Sequence, residues 1–596
     1  MAFCRIALIL SLLVYLVSPV LSQQKPAEAA SALCTKDLAV DTTKQQILNT
    51  RTFDDLVHRI TILLRAADLL WPHEQERALA AFTEAFELAV ANYKEKGDQI
   101  KRASDSRFAA VIPIPDQRFK VLTALAKRDP ARAQKLSEQM LKENAQELAD
   151  KPAADDKSQR GTNEKLLGIA NALISTDRNA AMSFARQSFK YPATLFLASF
   201  LYEFAKVDKG LADRFYTDAL GAYAKSPMDQ FLYLSAYPFG NTRDAGEMPG
   251  YTNYRVPEGY VPNVALQRAF MSVLLARAEG ALSIEVSQAK NYRYPDHAQI
   301  WLALTRLEAQ VQAQMPDLTE RTAQSKDKLF ALLNGPLQTQ LTGQIDADKA
   351  PKPSFEKQVE AAEKISDVGR RDQMLVFAVT GSGSRDQPAD TVISVIDKIS
   401  DSGIRGPLLN WFHYFRAQQL ITEKNLSEAR KFAGKVTELD QRAYLFTRIA
   451  EESLKVAEDQ TEAREMLNEI ADAVSKAPKT IVSARALLAL AHLYAKIDMN
   501  RGVEELGNAV KTINALESPD FSQQFVMMKI EGKTFGSYAS FSTPGFNPEN
   551  AFREMGKLDF DGSLLQATNF SDKSLRALTT LAVIEPCFSH KKATRN

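Results

Sequence analysis

The sequence predicts an all-α protein in which antiparallel helical hairpins stack as an α-solenoid, and three observations predict it. The first is an Asp or Asn followed four residues later by Ala or Gly, at Asp129/Ala133, Asp177/Ala181, Asp208/Ala212, Asn425/Ala429, Asp459/Ala463 and Asp498/Gly502. Each lies between two apolar helix-like runs. The second is an aliphatic residue, an acid two positions on, Arg four after the acid and an apolar residue four after Arg. It occurs at Ile365/Asp367/Arg371/Leu375, Ile399/Asp401/Arg405/Leu409 and Val436/Glu438/Arg442/Phe446, with a partial copy, Ile112/Arg118/Leu122, that lacks the acid. The third is spacing: the two patterns interleave every 34 to 39 residues, roughly, between 365 and 514.

Both patterns have a local physical reason. An Asp or Asn side chain caps a new helix by accepting a backbone N–H bond, worth about 1 kcal/mol. A small residue four positions on lets the two helices of a hairpin approach closely. In the second pattern the acid caps, and Arg four residues later is expected to pair with it for a few tenths of a kcal/mol. "GSGSRDQP" (381–388) reads as a turn, with Gly381 ending one helix and Pro388 opening the next. Earlier hairpins are expected at 60–89, 121–141, 166–189 and 196–220.

The period, and the small residue early in the second helix, resemble the tetratricopeptide repeat. The best copy, "LALAHLYAKIDMNRGVEELGNAV" (488–510), matches that pattern at Leu490, Ala491, Tyr494, Gly502, Leu506 and Ala509, without the early Trp and with a turn one residue short. The resemblance implies a tetratricopeptide-like α-solenoid that binds proteins or peptides, with the concave face as the expected surface.

The chain organises around these repeats. Residues 1–22, "MAFCRIALILSLLVYLVSPVLS", carry Arg5, a short apolar run from Ile6 to Val17, and small residues before Ser22. This is the pattern of a secretory signal peptide, too short to cross a bilayer as a helix, so export to a periplasm or the cell exterior is expected. Cys34 follows Leu33 and lies well past the cut, which argues against a lipid anchor. Residues 23–50 are expected as a flexible segment, 51–333 as an N-terminal helical half, 334–356 as a linker and 357–596 as a C-terminal helical half. Another polar stretch, 143–165, is expected as a mobile surface segment.

Charge and cysteine usage narrow the function classes. Loss of Arg5 from the 74 basic residues leaves them equal to the 73 acids, so no basic footprint for nucleic acid is visible. With Cys4 removed, Cys34 and Cys587 remain at opposite ends of the chain. They could pair in an oxidising compartment, but unpaired or adventitiously paired thiols are the expectation.

Sites of chemistry are not visible. No two of the six histidines stand at metal-ligand spacing, and "HEQER" (73–77) has Arg77 where a zinc-protease helix needs its second His. "GSGS" (381–384) follows a helix and lacks the Lys of a phosphate loop, and "DFDG" (559–562) lacks the ligand series of a calcium loop. The stripe "LLNWFHYF" (408–415), with Trp411, Phe412 and Phe415 at helical spacing, reads as core, and His413 as a structural histidine. No metal, no cofactor and no catalytic residue is expected. An enzyme acting on envelope polymers would need two carboxylates converging across helices.

One stretch departs from the helical pattern. Residues 231–263, "FLYLSAYPFGNTRDAGEMPGYTNYRVPEGYVPN", hold five Tyr, two Phe, four Pro and four Gly. A loop of that length is uncommon unless functional or disordered, and its aromatic content argues against disorder. Its rings either fill a groove between hairpins or, with the interleaved arginines, line a recognition surface. The candidate ligand or partner residues are Tyr237, Phe239, Arg243, Tyr251, Tyr254, Arg255 and Tyr260. A second aromatic stretch lies at 535–552. The expected function is a non-enzymatic interaction scaffold for a protein or peptide partner. Binding of a glycan or small molecule by the aromatic loop is the alternative.

Overall fold

Asp and Asn start the helices where the sequence places them. Asp129 accepts from the Arg132 amide at 3.0 Å, Asp177 from Ala180 at 2.9 Å, Asp208 from Leu211 at 2.9 Å, Asn425 from Glu428 at 3.4 Å and Asp498 from Arg501 at 3.3 Å. Asp459 lies outside the described residues. A computed structural model of the protein describes residues 33–98, 100–102, 111–149, 156–240, 256–286, 294–349, 353–456, 460–521 and 525–589. It is an all-α stack of helical hairpins, 77% helix and 3% strand among the described residues.

The chain divides into two compact units, one of Gln46–Phe412 with Met528–Ala539, the other of Met1–Gln45, His413–Met527 and Ser540–Asn596. In the first, consecutive helices pair as Leu56–Leu70 with Gln75–Lys96, Gln117–Ala126 with Pro130–Ala149, Asp156–Leu173 with Arg178–Gln187, and Phe355–Glu363 with Val368–Thr380. In the second, Leu439–Val456 pairs with Thr461–Lys476, Ile481–Ala495 with Met499–Asn514, and Phe560–Thr568 with Lys573–Ile584. Among the described residues no helix is long and apolar enough to cross a membrane.

The small residues of the first pattern do what close packing requires. Ala133, Ala181, Ala212 and Ala429 are fully buried, and Ala463 is nearly so. At Gly502 a Cβ would stand 2.8 Å from the backbone of Ala495, so only glycine allows Ile481–Ala495 and Met499–Asn514 to meet there. The 196–220 hairpin is compressed into one element, Phe196–Tyr223, broken where Asp208 takes φ −154° and ψ 90°. In an unbroken helix Phe200 and Phe215 would be about 22 Å apart at 1.5 Å per residue. Their ring centroids are 5.3 Å apart, so the chain folds back.

Other expectations need correction. In the 365–375 copy of the second pattern the acid caps, but its Arg turns elsewhere: Asp367 accepts from the Arg370 amide, while Arg371 donates to Ser400 Oγ at 2.7 Å. Beside it, buried Asp372 accepts the amides of Ser400 and Asp401 at 3.1 and 3.0 Å, which ties one repeat to the next. The partial copy does have its acid, shifted in position. Asp116 caps Gln117–Ala126 and holds the Arg118 guanidinium at 3.2 and 2.9 Å, while that guanidinium lies 3.2 Å from the Tyr93 ring centre.

The polar stretches are helical rather than loose. Pro130–Ala149 and Asp156–Leu173 cover most of 143–165, and Gly335–Lys349 occupies most of 334–356. Leu341 and Ile345 explain the latter: four residues apart, both are buried, which gives an otherwise polar helix an anchored face. Within 23–50, residues 36–49 form the helix Lys36–Asn49. The cysteines pair, contrary to the expectation of free thiols: Cys34 and Cys587 are bonded, with Cα atoms 5.1 Å apart across a sequence separation of 553. Both ends belong to the same unit. Closing so long a loop restricts the unfolded chain, a contribution on the order of 5 kcal/mol in the chain-entropy account.

Candidate binding surface

The aromatic segment begins as short helices, Met228–Leu232 and Ala236–Phe239, and ends where Asn263 caps Val264–Ala281. Its two ends are held together. Gly240, at φ +63°, sits so close that an added Cβ would be 3.3 Å from Pro262 and 3.6 Å from the Tyr260 ring. A side chain there would meet both left-handed strain and that contact.

Beneath this closure lies a tyrosine cluster. Tyr237 is fully buried, with its ring 5.4 Å from Tyr202, 5.6 Å from Tyr216 and 5.5 Å from Tyr260. Tyr202 donates to the Ala236 carbonyl at 2.7 Å, and Tyr260 donates to the Tyr237 carbonyl at 2.9 Å. Phe239 is also buried, edge-on to Phe270. Tyr260 is half-buried, with the Lys209 ammonium 5.8 Å from its ring centre.

Asp213 is the polar centre of the cluster. It accepts from Tyr237 Oη at 2.7 Å, Asn263 Nδ2 at 2.8 Å and Lys209 Nζ at 2.9 Å. Burial alone would raise its carboxyl, but these donors outweigh it and hold the pKa below the ordinary aspartate value. The opposite happens to its partner: burial, then the neighbouring Tyr260 and Asp213, push the Tyr237 phenol far up. Asn263 uses both ends of its amide, donating to Asp213 and accepting from the Ala265 amide at 3.0 Å. An aspartate could not do both. Tyr216 lies in the same cluster with a buried hydroxyl that has no hydrogen-bond partner among the described residues.

The seven candidate residues thus separate. Tyr237 and Phe239 are core, Tyr260 lies at the boundary, and Arg243, Tyr251, Tyr254 and Arg255 lie outside the described residues. Asp213, Lys209 and Asn263 were not singled out in the sequence. The i,i+4 spacing of Lys209 and Asp213 just after the Asp208 cap was the available signal.

In the second aromatic stretch, Gly536–Ser542 is a strand paired with Phe525–Glu531, followed by the helix Pro548–Leu558. Its rings have separate partners: Phe535 meets Phe377, Phe541 meets Tyr414 and Phe415, and Phe546 meets Tyr444. His413 is buried, and burial together with nearby Lys435 lowers its pKa to about 4, so it is neutral at pH 7.

Three surface concavities are lined without any of the seven candidates. One of about 440 Å³ is formed at hairpin turns around Trp71, Arg128, Asp129 and Asp177. One of about 470 Å³ is polar, with Asn508, Asn514, Gln566 and Asn569. The third, about 350 Å³, has an apolar floor of Phe86, Val90, Leu136 and Met140. Among the described residues no group of three or more His, Cys, Asp or Glu could hold a metal ion. Comparison with protein-family models finds none that matches the chain, and comparison with curated proteins finds no relative.

Proposed function

We propose that the protein is an exported, non-enzymatic scaffold whose tetratricopeptide-like hairpins bind a protein or peptide partner. The observation that carries this reading is the hairpin stack itself, whose surface concavities are lined by helix faces mixing apolar and amide side chains. That mixture suits a peptide, which offers apolar side chains and backbone amides together. The repeat class is supported by the 488–510 copy, where Leu490, Ala491, Tyr494, Gly502, Leu506 and Ala509 are all buried and Gly502 packs against Ala495. Export is supported by the apolar run of residues 6–17, and the Cys34–Cys587 bond fits an oxidising compartment.

A glycan or small-molecule site on the aromatic loop is the second reading, favoured by one observation. The tyrosine cluster and the Gly240–Pro262 contact fix the two ends of the stretch whose sequence carries Arg243, Tyr251, Tyr254 and Arg255. Crosslinking in the native envelope followed by mass spectrometry separates the two. Protein crosslinks that survive a Tyr251→Ala/Tyr254→Ala double variant support the scaffold. The absence of any protein crosslink, with glycan binding that the double variant abolishes, would replace it.

A further inference from the structure

The concavity of about 350 Å³ has a geometry that the other two lack. Gln75–Lys96 and Pro130–Ala149 are the second helices of successive hairpins, and each packs against Gln117–Ala126. Between them a valley remains, floored by half-buried Phe86, Val90 and Leu136 and by buried Met140. The next step of the stack is closed: Pro130–Ala149 meets Arg178–Gln187 directly, where Ser137 Oγ donates to Gln187 Oε1 at 3.2 Å. A valley between two helices that share a third beneath them has the shape into which a further helix packs, its ridge entering the groove.

The rim sets the charge of the occupant. Glu87 and Glu143 are exposed on it, against one exposed Arg132. Glu143 accepts from the neutral amide of Gln139 at 3.0 Å, a contact that brings no opposite charge to it.

We propose that this valley is a docking site for an amphipathic helix of a partner protein, with apolar anchors on one face and lysine or arginine flanking them. The proposal rests on the scaffold reading and gives it a place and a chemistry. Apolar anchors at i, i+3, i+4 and i+7 fill the floor. The flanking cations meet Glu87 and Glu143, which governs selectivity and encounter rate more than raw affinity.

The test uses the full mature chain and two synthetic amphipathic peptides of about four helical turns. Both carry leucine anchors; one has lysine flanks, its twin glutamate flanks. Fluorescence anisotropy at low salt is expected to show binding of the lysine peptide over its twin. The surface double variant Glu87→Lys/Glu143→Lys is expected to weaken the lysine peptide on the order of tenfold and to strengthen the twin. Val90→Glu should weaken both. Binding of neither peptide, or equal binding unaffected by charge reversal, overturns the proposal. If native crosslinks to a partner persist unchanged in Glu87→Lys/Glu143→Lys, the valley is overturned while the scaffold reading stands.

Discussion

The tyrosine cluster that joins the two ends of residues 231–263 and the valley between Gln75–Lys96 and Pro130–Ala149 belong to the same compact unit, yet they resolve aromatic surface in opposite ways. In the cluster, Tyr202, Tyr216 and Tyr237 are packed out of water and their hydroxyls are spent on internal partners, apart from Tyr216. In the valley, Phe86 remains half-buried beside Val90, Leu136 and Met140, a groove left open among the described residues. Aromatic density in the sequence therefore marks where a long connection is anchored. The valley's half-buried apolar side chains lie instead on two ordinary amphipathic helices.

The largest test of that contrast is Tyr237→Ala, which removes the ring that touches three others and the donor to Asp213. It should destabilise the protein by about 4 kcal/mol, read as a lower denaturation midpoint. A change near zero would mean that the cluster is not core. Gly502→Ala probes tight packing in the other unit. Its Cβ has no room against the backbone of Ala495, and about 3 kcal/mol of destabilisation is expected, whereas Gly221→Ala, with open space around it, should be neutral or slightly stabilising.

Buried neutral His413 gives a pH signature. Its folded pKa of about 4 lies below the unfolded value near 6.5, so the unfolded chain binds the extra proton between those values. Stability is full above pH 6.5 and falls as pH drops toward 4, by roughly 2–3 kcal/mol from this group. Urea midpoints across that window should show a shallower slope in His413→Gln. An unchanged slope would remove His413 as the source.

The smallest effects divide the cluster itself. Tyr237→Phe leaves Asp213 short of a donor and should cost about 1–2 kcal/mol. Tyr216→Phe, which deletes an unpartnered buried hydroxyl, should be neutral or stabilising. Equal losses in the two would contradict the hydrogen-bond assignment.

Much of the fold was legible because its determinants are local. Asp129, Asp177, Asp208, Asn425 and Asp498 each bond an amide three residues ahead, an interaction that the sequence fixes without reference to the rest of the chain. The buried alanines and Gly502 followed from the same spacing. Polarity misled at 334–356, where two anchoring residues, Leu341 and Ile345, were enough to secure a helix.

The sequence by itself determined where the Asp- and Asn-capped helices begin and that 231–263 departs from their pattern, because caps, small residues and prolines act within a few residues of themselves. Tertiary structure alone decided that Cys34 meets Cys587, that Arg371 reaches Ser400 in place of Asp367, and which rings are inside. Those outcomes depend on partners tens to hundreds of residues away, whose proximity is created by packing and has no local signature.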